Sequence, residues 1–311
     1  MKALVLLLTA VFSLPAVTYA ATYYVTVSGL GGEPDYEQRF GMWAADIGKA
    51  LKGGQDAADV HVETLVNGTR EQVRAALERI AKEAKPQDAV VLMLIGHGSF
   101  DGYEYKINLP GPDLSGAELA GLLDRIPATR QLVVNMTSAS GGSIESLRRP
   151  NRVVIAATKA GTEKNATVFA RYWVEALRDP AADTDKNEVV SALEAFRYAD
   201  KKTATFYESQ KRLATEHAVL EDTGKGDAVR APSPENGEGH LAAVFPLLRI
   251  GAAASAAKDP AKLELLAKKE QLEQQIDKLK YEKAAMAPED YKKQLGELLL
   301  ELARTQEALD K

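Results

Sequence analysis

The apolar rhythm of this chain changes several times, and each change marks an element. Tyr23-Tyr24-Val25-Thr26-Val27 alternates and is rich in β-formers, so it reads as a strand running into a glycine turn at 28–32. Phe40, Trp43, Ile47 and Leu51 then recur at helical spacing over 36–51. Val60–Leu65 reads as a second strand, stopped by Asn67-Gly68. Thr69 is placed to cap a following helix whose apolar face is Val73, Leu77 and Ile80.

From 88 to 95 the rhythm disappears into a nearly continuous apolar run, as in strands covered on both faces of a parallel sheet. Further buried strands are predicted at 131–136 and 152–158. Helices are predicted at 115–126, 166–177 and 190–213. Residues 222–239, rich in Gly, Pro, Asp and Glu, read as a loop, and the apolar patch 241–250 is expected to return to the sheet as a strand. Strands alternating with helices imply an α/β fold, a mostly parallel sheet with helices on both faces.

Beyond this block the chain changes character. Residues 251–260 form an alanine-rich linker. In 261–311, Leu265, Leu272, Ile276 and Leu279 make an apolar seam among charged residues. Pro288 interrupts it, and Tyr291, Leu295, Leu298, Leu302 and Leu309 resume it with heptad spacing. An antiparallel helical hairpin or coiled coil follows, with proline in the first turn of its second helix. Such a hairpin can cover itself or the domain, or it can hold a protein partner.

The first twenty residues have the form of a secretory signal. Lys2 precedes a short apolar run, Pro15 breaks it, and Thr18-Tyr19-Ala20 presents small residues at a cleavage position. The run is short for a membrane span, although an uncleaved anchor is the alternative. The expectation is an exported protein, periplasmic or secreted, with a mature domain over 21–250 and no transmembrane segment in the mature chain. With 39 basic and 44 acidic residues, the formal charge of −5 disfavours nucleic acid as a partner. The chain has no cysteine, which excludes disulfides, a lipidated amino terminus and a thiol nucleophile.

Two polar loops follow buried strands directly: Gly96-His97-Gly98, and Thr137 to Ser143 with its serines and glycines. In open α/β sheets ligands gather at the carboxyl ends of strands, so these loops are the natural walls of one site. A lone histidine here could equally be a hydrogen-bonded loop residue. His61, His217 and His240 have no comparable setting and no metal spacing.

The segment Ile95-Gly96-His97-Gly98-Ser99 resembles the histidine motif of the caspase-like peptidases, the clan of caspases, metacaspases and legumains. The segment 132–141, ending Thr137-Ser138-Ala139-Ser140-Gly141, resembles the strand and loop that carry the clan's nucleophilic cysteine. The resemblance covers about 23–250 and is nearest to bacterial exported C13, or legumain-like, proteins. It implies a caspase-like sheet, His97 as the acid–base group, and backbone N–H groups of Gly98 and Ser138 as oxyanion donors. Ser140 and Gly141 match the end of the nucleophile motif. Ser138 stands where the cysteine is expected. An alcohol needs a closely aligned base and an oriented histidine. The site is therefore either an active serine hydrolase or a pseudoenzyme that binds a peptide or scaffolds a complex. Ser140 is a neighbouring alternative hydroxyl.

Residues 183–194 follow the EF-hand ligand pattern. Asp183, Asp185, Asn187, Ser191 and Glu194 supply side-chain oxygens, and Val189 its carbonyl, for calcium. Glu188 stands where the sharp turn prefers glycine. The competing reading is an acidic helix cap. Residues 222–227 are a poorer echo of the same pattern.

Overall fold

In a computed structural model of the chain, the described residues are 20–54, 60–234, 236–259 and 261–311. The signal-like segment, apart from Ala20, lies outside them. The strands are β1 (Thr22–Ser28), β2 (Val60–Leu65), β3 (Ala89–Ile95), β4 (Gly98–Phe100), β5 (Tyr105–Ile107), β6 (Leu114–Ser115), β7 (Arg130–Asn135), β8 (Arg152–Ala156), β9 (Val189–Ser191), β10 (Val219–Glu221) and β11 (Pro246–Arg249). The helices are α1 (Pro34–Gly54), α2 (Arg70–Glu83), α3 (Gly116–Asp124), α4 (Ile144–Leu147), α5 (Phe169–Ala176), α6 (Ala192–Ser209), α7 (His240–Ala243), α8 (Gly251–Ala256), α9 (Leu263–Glu282) and α10 (Pro288–Leu309).

Six strands form the central sheet in the order β10-β8-β7-β3-β1-β2, all parallel except the edge strand β10. The apolar run of β3 is covered on both sides, as its composition demands. Val91, Met93 and Ile95 join a core with Phe40 and Trp43 of α1, Phe169 and Trp173 of α5 and Phe196 of α6. Val90, Leu92 and Leu94 join the opposite core with Leu77 of α2 and Leu119 and Leu123 of α3. The period of two in the strand thus sends alternate residues into two separate cores.

Local chemistry sets the helix starts. The Thr69 hydroxyl accepts a hydrogen bond from the Gln72 N–H while the Gln72 side-chain oxygen accepts the Thr69 N–H, a full capping box on α2. Ser115 caps α3 in the same sense.

Three predicted elements change on folding. The helix expected over 190–213 begins only at Ala192, because residues 189–191 are drawn out as β9 and pair with β11. The patch expected to return to the sheet pairs with β9 instead, outside the central sheet, after a short helical turn, α7. The alanine-rich linker is largely helical, as α8, in keeping with alanine's propensity.

The carboxyl-terminal helices run antiparallel, with Lys268 paired to Glu301 and the Lys262 ammonium on the Leu309 carbonyl. Helix α9 lies on the domain. Leu266, Leu272, Ile276 and Leu279 are buried, Glu270 holds Arg249 through two nitrogens, and Lys269 donates to the Asn187 carbonyl. The most buried residue at the first turn is Leu266 rather than the seam residue Leu265. Helix α10 rests on α9 and leaves Leu299 and Leu300 exposed. Among the described residues no helix is long and apolar enough to cross a membrane.

Candidate functional site

Strands β3 and β7 are hydrogen-bonded neighbours, with Leu94 opposite Asn135. His97 and Ser138 each lie three residues beyond that pair. Register alone therefore brings the two loops together at the carboxyl end of the sheet.

The contact between them is made by Gly98. Its N–H donates to Ser138 Oγ (3.0 Å), and the Ser138 hydroxyl donates back to the Gly98 carbonyl (3.1 Å). A side chain at Gly98 has no room: a Cβ there would lie 2.5 Å from the Ser138 carbonyl oxygen and 2.7 Å from the Tyr105 ring. Ser138 is 1% exposed, so its hydroxyl faces protein rather than solvent. Among the described residues, neither of its hydrogen bonds goes to His97.

The His97 ring is held elsewhere. It is half-buried and meets Tyr36 and Phe40 of α1 edge-on, at centroid distances of 4.9 and 5.1 Å. It also hydrogen-bonds the Gly31 backbone. Burial pushes its pKa below the ordinary histidine value, and the Gly31 bond and the nearby Glu33 charge only partly oppose this.

The Ser138 loop is fixed from below by a buried polar network. Asn135 Oδ1 accepts from the Tyr105 hydroxyl and from Thr137, and the Asn135 amide donates to Ser143 Oγ (3.0 Å). The Tyr105 and Thr137 hydroxyls lie 2.6 Å apart. Burial pushes the Tyr105 phenol up to about 12, so it remains a neutral donor. Ala139 takes a left-handed backbone (φ +56°), with its N–H donated to the Glu163 carbonyl. Ser140 is fully buried, and its hydroxyl is engaged by Thr158, which also accepts the Gly141 N–H (2.9 Å). The Gly98 and Gly141 N–H groups are thus both already bonded to hydroxyl oxygens.

Several residues of this region escape the motif. Tyr36 and Phe40 read as the start of an amphipathic helix, yet they form the wall for His97. The glycine turn at the end of β1, at the same edge of the sheet, was the available signal. Phe100 lies against Gly142 and Gly161, where an added Cβ would meet its ring at 2.6 and 2.2 Å. His217, unremarkable in sequence, has its Nδ1 2.5 Å from Glu163 Oε1, behind the Ala139 turn. Nothing in their spacing announces that pair, 54 residues apart.

The 183–194 segment brings carboxylate oxygens of Asp183, Asp185 and Glu194 within 4.8 Å of one another. Loss of solvation, then the facing Glu194 charge, pushes the Asp185 carboxyl up to about 6. Glu188 takes the left-handed backbone (φ +70°) that the turn requires, and its carboxylate accepts the Ala253 N–H. Asn187 Oδ1 accepts from the Val189 N–H, and Val189 itself lies in β9. Ser191 and Glu194 form a capping box on α6, so the helix-cap reading describes those two residues directly.

No protein-family model and no curated protein matches this sequence. Solved structures with a similar chain course include three of low identity. The initiator caspase Dronc of Drosophila has a TM-score of 0.40 at 9% identity, over 67% of this chain and 82% of that one. Protein GSU0716 of Geobacter sulfurreducens has a TM-score of 0.44 at 12% identity, over 70% and 97%. Raptor of Chaetomium thermophilum has a TM-score of 0.37 at 11% identity, over 52% and 18%. On its own geometry the chain is an α/β protein with a mostly parallel sheet, whose histidine and serine loops meet through one glycine.

Proposed function

We propose that this is an exported protein of caspase-like, C13-related type, in which Ser138 replaces the nucleophilic cysteine. In this reading the site binds a peptide segment or scaffolds a complex and is inactive or weakly active. The observation that carries it is the closed pair between Ser138 and Gly98. The hydroxyl is buried and spends both its donor and its acceptor role on one backbone unit. A serine nucleophile needs its proton taken by an aligned base, and here that proton is on a carbonyl. The reciprocal bond, from the Gly98 N–H to Ser138 Oγ, uses the donor that an oxyanion would need. The test is labelling with a fluorophosphonate, wild type against Ser138→Ala. Equal, background labelling is expected. Labelling that Ser138→Ala abolishes would establish the active serine hydrolase with His97 as base.

A second reading makes the hairpin an interaction element. The exposed Leu299 and Leu300 on α10 favour it. Under this reading Leu299→Asp with Leu300→Asp abolishes co-purification of a partner while the melting temperature stays within about 1 °C, since exposed sites contribute little. Unchanged co-purification removes the reading.

The calcium reading of 183–194 belongs to the same proposal, as a structural ion beneath α6. Three converging carboxylates support it, and its test is thermal.

A further inference from the structure

Asp88 is 3% exposed, at the entry of β3. Its Oδ2 accepts the Lys85 N–H at 2.7 Å, and its Oδ1 accepts the Ala21 N–H at 2.8 Å. Among the described residues it has no ion-pair partner within 4.0 Å. Tyr23 of β1 and Arg130 of β7 sense its charge. Asp88 is thus a buried carboxylate held by two neutral backbone donors, and an ionic donor in the place of either would hold it more strongly.

The donor at Ala21 is unusual because of where it lies. It is the nitrogen on the carboxyl side of Ala20, the small residue that ends the signal-like segment. Ala20 is exposed and Ala21 half-buried. Ala21 is already seated on the sheet, its carbonyl accepting the Ala89 N–H at 2.8 Å.

We infer that cleavage between Ala20 and Ala21 completes the site, turning the Ala21 N–H into an α-ammonium that forms a buried ion pair with Asp88. Water adds across the Ala20–Ala21 amide in a reaction catalysed by a peptidase specific for small residues. The new carboxylate leaves with Ala20, and the amine stays on Ala21 and takes up a proton. An α-amine carries that proton at neutral pH, and the facing carboxylate holds it there. Processing thus places a full counter-charge on Asp88 at hydrogen-bond distance, where Arg130 senses the carboxylate without pairing with it, and it ties the first strand to β3. The inference rests on the export reading of residues 1–20 but on no catalytic reading of the site.

The full chain is expressed with export, and the recovered protein is sequenced from its amino terminus. The expected first residue is Ala21. The melting loss caused by Asp88→Asn is then compared in two forms. One has a free Ala21 amine; the other carries a short Gly-Ser extension fused to Ala21, which makes that nitrogen an amide. The loss is expected to be larger by roughly 3–6 °C in the free-amine form, as for breaking one buried pair in a domain of this size. If Asp88→Asn does not fold, acylation of the wild-type α-amine at neutral pH replaces it. That rate is expected to be at least ~10-fold below that of a free Ala-Thr-Tyr peptide, as a raised amine pKa dictates. Equal melting losses, or equal acylation rates, overturn the ion pair alone. A recovered chain that begins anywhere other than Ala21 overturns the processing step, and with it the export reading if residues 1–20 are retained.

Discussion

Two backbone groups of Gly98 and one hydroxyl set the character of the site. Gly98 faces Ser138, and the absence of a side chain lets the two loops touch. Gly98→Ala is expected to push Ser138 and Tyr105 away and to cost about 1–3 kcal/mol, as for overpacking in a core. Thermal denaturation measures this, and an unchanged Tm would show that the loops yield freely. The same geometry gives a histidine and a serine so near in the fold separate partners. His97 is drawn to Gly31 and two aromatic rings, and Ser138 to Gly98. Each has its own partners, and neither is aligned on the other.

At the scale of elements, the segment between α5 and α6 concentrates negative charge. Asp183, Asp185 and Glu194 converge, and Asp185 is held near pH 6 by lost solvation and by its neighbours. A divalent cation would relieve this repulsion. The calcium reading therefore predicts a Tm several degrees higher in excess calcium than in chelator at pH 7, on the order of 1–3 kcal/mol of ligand linkage. The rise should shrink near pH 5, where Asp185 is protonated. Identical melting curves with calcium and chelator end the calcium reading and leave the capping box of Ser191 and Glu194 as the whole account. The hairpin shows a similar division. Helix α9 is held by Arg249–Glu270 and by buried leucines, whereas α10 is held chiefly by α9.

Over the whole molecule, burial raises several carboxyls. Glu216, Glu238 and Glu273 are each pushed up to about 7, in each case first by loss of solvation. A carboxyl whose folded pKa exceeds its unfolded value favours the native state below both values, and that contribution is lost as pH rises through about 7. Stability should therefore increase as pH falls from about 7.5 toward about 5. In stronger acid the trend reverses, because Glu175 and Asp179 are held low by hydrogen bonds from Lys202 and Tyr198 and must then be protonated. Urea unfolding across this range checks the shape. A maximum at or above pH 7.5 would contradict it.

The rhythm of apolar residues was enough, by itself, to place the central strands and most helices. A run such as β3 can be buried only on both faces, and a capping threonine before an amphipathic stretch has one local solution. It also placed His97 and Ser138 at one edge, since each follows a buried strand at equal distance. What the rhythm could not contain was the identity of partners far apart in sequence. Whether Val190 begins a helix or pairs with Leu248 depends on a segment 58 residues away. Whether Ser138 meets an imidazole or a glycine backbone depends on rotamers fixed by Tyr36, Phe40 and Tyr105. These are packing decisions made by several elements at once, and a single sequence records their outcome only as unremarkable aromatic and glycine positions.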